Sequence, residues 1–211
     1  MKIQINNEVY NVEIIKKATT KNTYIRVKDD MTIMITTNIW TRDSELEKLL
    51  LKNQEALVKM LNRQSKKQEK EKYFYYLGQK YDIVYTNNPG IEIGSSKVFV
   101  NRSVDLTKWY KKESQSLFEA RLKYWHSRFT KTIPLPTLTI RKMKSRWGVC
   151  NTRDKRVTLN LELMKQPTQC LDYVIVHELS HLVHANHSSK FWSLVEENYP
   201  NYKEIRKIMK D

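Results

Sequence analysis

The stretch DYVIVHELSHLVHANHSSKFW, residues 172–192, carries four of the chain's five histidines and one glutamate set between them. His177 and His181 are four residues apart. On a helix that spacing leaves them about 40° apart around the axis and about 6 Å along it, so both can reach one ion. Glu178 projects from the same side, where a carboxylate can take a proton from water without itself binding the ion. The first half of the stretch is apolar nearly all round, so its helix is expected to be buried. Burying two histidines and a glutamate on one face is costly unless something pairs with them. A metal ion answers that need.

A metal centre that does chemistry wants three protein ligands and one open position. His184 extends the same row, seven residues after His177. Three side chains would then stand along about 10 Å of helix axis, and a row cannot make a tetrahedral corner. His187 approaches from another direction if the helix ends first. Asn186 tolerates the left-handed conformation that ends helices, and Ser188 is a good N-cap for a new helix over SSKFWSLVEENYP, residues 188–200. The expected set is therefore His177, His181 and His187 on Zn2+, with Glu178 as the catalytic base and His184 outside it. Phe191 and Trp192 read as core rather than as a substrate platform.

Upstream, Pro167 sits near the start of this helix, a position proline tolerates. KRVTLNLELM (155–164) reads as a strand, and PLPTLTIRKMKSRWGVC (134–150) as a strand and a loop. A helix fits from Thr107 to Thr130, and YFYYLGQKYDIVYTNNPGIEIGSSKVFVN (73–101) reads as short strands around a turn at NNPG. Composition changes near Val104, which suggests a β-rich region over 1–104 and a second domain over 105–211. In the first third, VYNVEII, TYIRV and MTIMIT alternate as strands do. Ser44 followed by Glu47 has the capping-box pattern, and Leu46, Leu49, Leu50, Leu57, Met60 and Leu61 keep helical spacing. One long amphipathic helix is expected over about 44–70, with KKQEKEK as a solvated charge run. No internal repeat is visible.

The 211 residues are 40% apolar, with four glycines and five prolines, so the composition is globular and leaves no room for a long flexible linker. No apolar run reaches membrane-spanning length. MKIQINNEVYNVEII alternates like a strand and lacks the apolar core of a signal peptide, so a cytoplasmic location is expected. Cys150 and Cys170 have no CxxC partner and are expected to be free thiols. The net charge is +15. It favours anionic partners such as nucleic acid or nucleotides, a reading that stands level with a merely solvated surface. From Asn101 to Cys150 the chain carries twelve Lys and Arg against three Asp and Glu, a local balance of +9.

SRWGVC, then LNLELM, DYVIVHELSHLVHANHSSKFW and YPNYKEIRK together resemble the YgjP-like metallopeptidase family, related to SprT-like zinc proteases. TYIRV, the long helix and YLGQKYDIV fit the same layout, so the likeness spans nearly the whole chain. The spacing of His177, His181 and His187 also equals that of metzincins, but His184 stands where those enzymes carry a turn glycine, which argues for another solution to the same geometry. The family resemblance implies an α+β, zincin-like fold built on the HExxH helix. It makes His177, His181 and His187 zinc ligands and Glu178 the base of a metallopeptidase. The family's usual SRWGSC has Val149 in place of its second serine here. The resemblance also brings the basic loop RKMKSRWG close to the centre. There Arg146 and Lys144 are candidates to contact substrate, or Arg146 pairs with an acid while Trp147 fills core. Two other activities remain open: metal-dependent hydrolysis of a nucleoside triphosphate, a UTP-type pyrophosphatase, and a non-enzymatic, zinc-stabilised nucleic-acid-binding module. A purely structural site needs no base, so Glu178 speaks against the latter.

Overall fold

The structure, a computed structural model, describes residues 1–209. The fold is mixed α+β, and the chain divides into two compact units, Met1–Tyr73 and Phe74–Asp211.

The first unit holds β1 (Lys2–Ile5), β2 (Glu8–Lys16), β3 (Tyr24–Val27) and β4 (Ile33–Thr37), in the sheet order β1-β2-β4-β3. Asn6 and Asn7 close the β1–β2 hairpin with φ of 48° and 65°, a two-residue turn for which asparagine is well suited. Helices α1 (Asp43–Lys52) and α2 (Gln54–Glu71) follow. Their Leu46, Leu50, Leu57 and Leu61 pack with Ile5, Val12, Ile33 and Ile35 into one core, each such side chain contributing about 1.5–3 kcal/mol when fully buried. The single helix expected over 44–70 is thus two. Asn53 separates them, and its Nδ2 donates to the Leu49 carbonyl at 2.8 Å; such a side chain competes with the helical ladder. The expected capping box is also absent. The helix begins one residue early, at Asp43, whose carboxylate meets Lys16 at 2.8 Å, so Ser44 lies inside it.

From Phe74 onward the second unit holds most of β5 (Tyr73–Tyr76), then β6 (Gln79–Thr86), β7 (Ile91–Ile93) and β8 (Lys97–Asn101), in the order β5-β6-β8-β7. This repeats the topology of the first sheet. In both sheets the second and fourth strands are parallel, the third and fourth antiparallel, and a long helical segment comes next. No repeated residues announce it. Phe74, Val98 and Val100 join the same core as the C-terminal helices, so the compact unit begins about thirty residues before the change of composition at Val104.

Helix α3 (Leu106–Arg128) starts at Asp105, whose side chain accepts from the Thr107 and Lys108 amides. A small sheet follows, β9 (Thr137–Arg141), β10 (Gly148–Asn151) and β11 (Arg156–Asn160), ordered β10-β11-β9 with β10 at one edge. LELM, expected to continue the last strand, is a 3-10 turn over Leu161–Lys165. Helix α4 (Thr168–His181) runs through the core with Cys170–Val176 and Glu178–Ser180 buried, and α5 (Ser189–Asn198) and α6 (Tyr202–Ile208) pack beside it. Two contacts fix α4. Arg121 of α3 grips Asp172 through two hydrogen bonds of 2.6 Å. Gly78, at φ +84°, lies so close that a Cβ would stand 2.9 Å from Pro167 at the head of α4.

Candidate metal centre

α4 ends sooner than the sequence suggests. Its last helical residue is His181, and the Val183 and His184 amides both donate to the Ser180 carbonyl at 3.1 and 2.9 Å. The expected break at Asn186 is therefore wrong by five residues. His184 lies beyond the helix and does not extend the histidine row. The early end gives the chain residues 182–188 in which to turn back. Ser188 then caps α5, its hydroxyl accepting from the Phe191 amide.

This turn brings His187 over α4. The ring centroids of His177, His181 and His187 form a near-equilateral triangle with sides of 5.0, 5.0 and 4.8 Å. One nitrogen from each lies within 4.8 Å of the others. Phe191, fully buried, stands at 4.6–4.9 Å from all three rings. It is core, as expected, and it is also the common support of the triangle. Trp192 stacks on His187 at 5.5 Å.

The electrostatics suit a cation. Burial first, then the neighbouring His181 and His187, bring the pKa of His177 down to about 3, and burial lowers His181 as well. Neutral imidazole is the form that binds metals. The His181 Nδ1–H donates to the His184 carbonyl at 3.2 Å, which leaves Nε2 as the lone pair. Nε2 of His177 and Nε2 of His187 face each other at 3.1 Å. Two donors on one tetrahedral ion, at about 2.0–2.1 Å each, stand about 3.3 Å apart, so the pair fits a shared ion.

Glu178 is 4% exposed and points at β10. Burial raises its pKa to about 8, against the opposing pull of the Cys150 amide, which donates to it, and of Arg146. The strand comes this close because residue 148 is glycine: a Cβ there would stand 2.5 Å from Glu178 Oε1 and 2.7 Å from its Cγ. Gly148 and the Cys150 amide are contributions that the sequence did not flag. The glycine was inside the quoted SRWGVC, but its reason is visible only once β10 lies on α4.

The basic loop is tied down by Asn160, which donates to the Met143 and Arg146 carbonyls at 2.9 and 2.7 Å. Arg146 is exposed, and its charge reaches Glu178. Lys144 is exposed on the same loop. Trp147 is half-buried and packs against the core.

An α+β fold with HExxH on a buried helix and a third histidine folded back over it defines a zincin-like metallohydrolase. Residues 21–211 match the family described as YgjP-like, metallopeptidase domain, and the chain belongs to that family. The family implies a divalent metal, and a cluster of three histidines that could hold one is present. Among solved structures, the metallopeptidase zymogen of Pyrococcus abyssi abylysin is similar at 28% identity and a TM-score of 0.40, over 44% of this chain and 92% of that one. Comparison with curated proteins gives no match.

Proposed function

We propose that the protein is a zinc-dependent metallopeptidase in which His177, His181 and His187 hold the ion and Glu178 is the general base. The observation that carries this reading is a three-nitrogen cluster on and beside α4 together with a buried carboxylate at the residue that follows its first histidine, outside the donor set. When bound, zinc supplies the charge that ionises Glu178, polarises the scissile carbonyl and acidifies the attacking water. Glu178 accepts the water proton on its carboxylate and passes it to the departing amine. Gly148 and the Cys150 amide hold that carboxylate in place. Phe191 and the His184 carbonyl fix the imidazoles, the kind of support that tunes metal ligands. Arg146 and Lys144 are proposed to meet substrate at the mouth of the site.

Hydrolysis of a nucleoside triphosphate is the second reading, favoured by the +9 balance between Asn101 and Cys150 and by the reach of the Arg146 charge to Glu178. The same balance suits nucleic acid as a surface partner. Cys150 and Cys170 are both free thiols, which suits a reducing compartment such as the cytoplasm. Among the described residues no helix is long and apolar enough to cross a membrane.

The test is a parallel assay of metal-loaded and chelator-stripped protein on unfolded protein, DNA-bound protein and nucleoside triphosphates. Metal-dependent cleavage of the polypeptides is expected. Turnover of triphosphates without polypeptide cleavage would replace the first reading by the second.

A further inference from the structure

The three histidines and Glu178 leave one cation beside the centre without a role. Arg206 lies on α6, half-buried, with its guanidinium carbon 4.4 Å from the centroid of the Trp192 ring. Trp192 stands 5.5 Å from His187, nearly parallel to it, and 5.7 Å from His177. It also stacks on Tyr202 at 5.5 Å, and Tyr202 is one turn before Arg206 on the same helix. The aromatic column His187, Trp192, Tyr202 therefore fixes where the guanidinium sits. On the neighbouring turn of α4, the Tyr173 hydroxyl lies 3.5 Å from His177 Nδ1. Trp192 thus stands between the guanidinium and two of the three histidine rings.

Among the described residues, none of the ion pairs includes Arg206. Glu196 of α5 pairs with Lys203 of α6 instead. Stacking alone does not explain the placement. A guanidinium on an indole gains about 0.5–2 kcal/mol according to its exposure, whereas a cation set beside a dication site is repelled by it. The two positive charges are balanced when an anion arrives between them. Planar guanidinium binds carboxylate and phosphate oxygens in pairs.

We propose that Arg206 forms an anion subsite of the metal centre, which selects substrates carrying an anionic oxygen group, a peptide carboxylate or a phosphate, close to the bond that is cut. The proposal rests on the hydrolase reading above, and the binding experiment separates the two.

The experiment measures binding by calorimetry in metal-loaded Glu178→Gln protein, where turnover is suppressed. The probes are one peptide with a free C-terminal carboxylate, the same peptide as its amide, and inorganic pyrophosphate. The acid is expected to bind on the order of tenfold more tightly than the amide. Adding Arg206→Gln should erase that ratio with metal content unchanged, while Arg206→Lys should keep part of it. Pyrophosphate binding that needs Arg206, with no difference between acid and amide, would support the subsite and assign it to phosphate. Unaltered binding of all three probes in Arg206→Gln would overturn the proposal. So would loss of the metal in both Arg206 variants, because the residue would then serve only to hold Trp192 and His187. Because binding is read without turnover, an anion preference that depends on Arg206 stands even if no peptide is cleaved.

Discussion

Replacing Gly148 by alanine adds one methyl group where β10 lies closest to Glu178. The new Cβ would stand 2.5 Å from Glu178 Oε1, whereas ordinary contact begins at 3.4 Å. The carboxylate, or the strand that holds it, must therefore retreat by about 0.9 Å, and a misplacement of about 1 Å at a reacting group costs about 100-fold in rate, or about 2.7 kcal/mol. Retreat also loosens the hydrogen bond from the Cys150 amide, and a bond to a charged acceptor is worth about 1.5–3 kcal/mol. Gly148 is not at a positive φ, so backbone strain does not confuse the result. The assay is kcat/KM on a cleaved peptide, with metal content and melting temperature measured on the same sample. The expected outcome is full metal occupancy and a fall of roughly 100-fold in kcat/KM, carried mainly by kcat. Activity within about twofold of wild type, with the metal retained, would refute the idea that Gly148 positions the base.

The remaining expectations concern the ligands, the helix that carries them and the nearby thiol. His187→Ala should lose its metal on dialysis against a mild chelator; His184→Ala should keep it, because the carbonyl that accepts from His181 remains, and weakening beyond about 10–100-fold would contradict that. Arg121→Met leaves Asp172 buried without its partner. Breaking a buried pair costs about 3–5 kcal/mol, and the partial exposure of Arg121 lowers this to about 2–4 kcal/mol, read by chemical denaturation; adding Asp172→Leu should recover much of it. Burial, helped by the Glu178 charge, raises the Cys150 thiol to about 11, so alkylation at pH 8 should be on the order of 100-fold slower than for an ordinary thiol. The folded state holds that proton longer than the unfolded chain does. Its contribution to stability is therefore complete below about pH 9 and is lost as pH rises through about 11.

What the sequence exposed was whatever follows from spacing along one element. Two histidines four apart on a buried helix, a glutamate between them and a serine fit to cap the next helix lie within a few turns of one another, and the structure brings His177, His181 and His187 together. The helix end that places His187 there is not where spacing puts it. A helical row through His184 does not form, because the helix stops at His181, where the Leu182 and Val183 amides turn to the carbonyls three residues back and the chain turns without any glycine. What stayed hidden depends on strands that meet only in three dimensions. Gly148 matters through an α4 side chain thirty residues away, the Cys150 contribution is a backbone amide, and Arg206 reaches the centre through Trp192. The repeated sheet topology is invisible for a related reason: strand order is set by pairing partners, and two sheets can share it with no residue in common. Local signals also misled where a competing contact won, as with Ser44, drawn inside α1 when Asp43 pairs with Lys16.

The central claim is that a metal held by three histidines works with Glu178 as its base. Glu178→Gln keeps the size of the side chain and still offers an amide to the space between β10 and α4, but it accepts no proton. The measurement is metal content by mass spectrometry alongside the rate of peptide cleavage, on wild type and Glu178→Gln purified in parallel. Equal, near-stoichiometric metal is expected in both, with a loss of cleavage of at least about 100-fold in the variant, the range that general-base catalysis supplies. Cleavage near the wild-type rate with the metal still bound would contradict it.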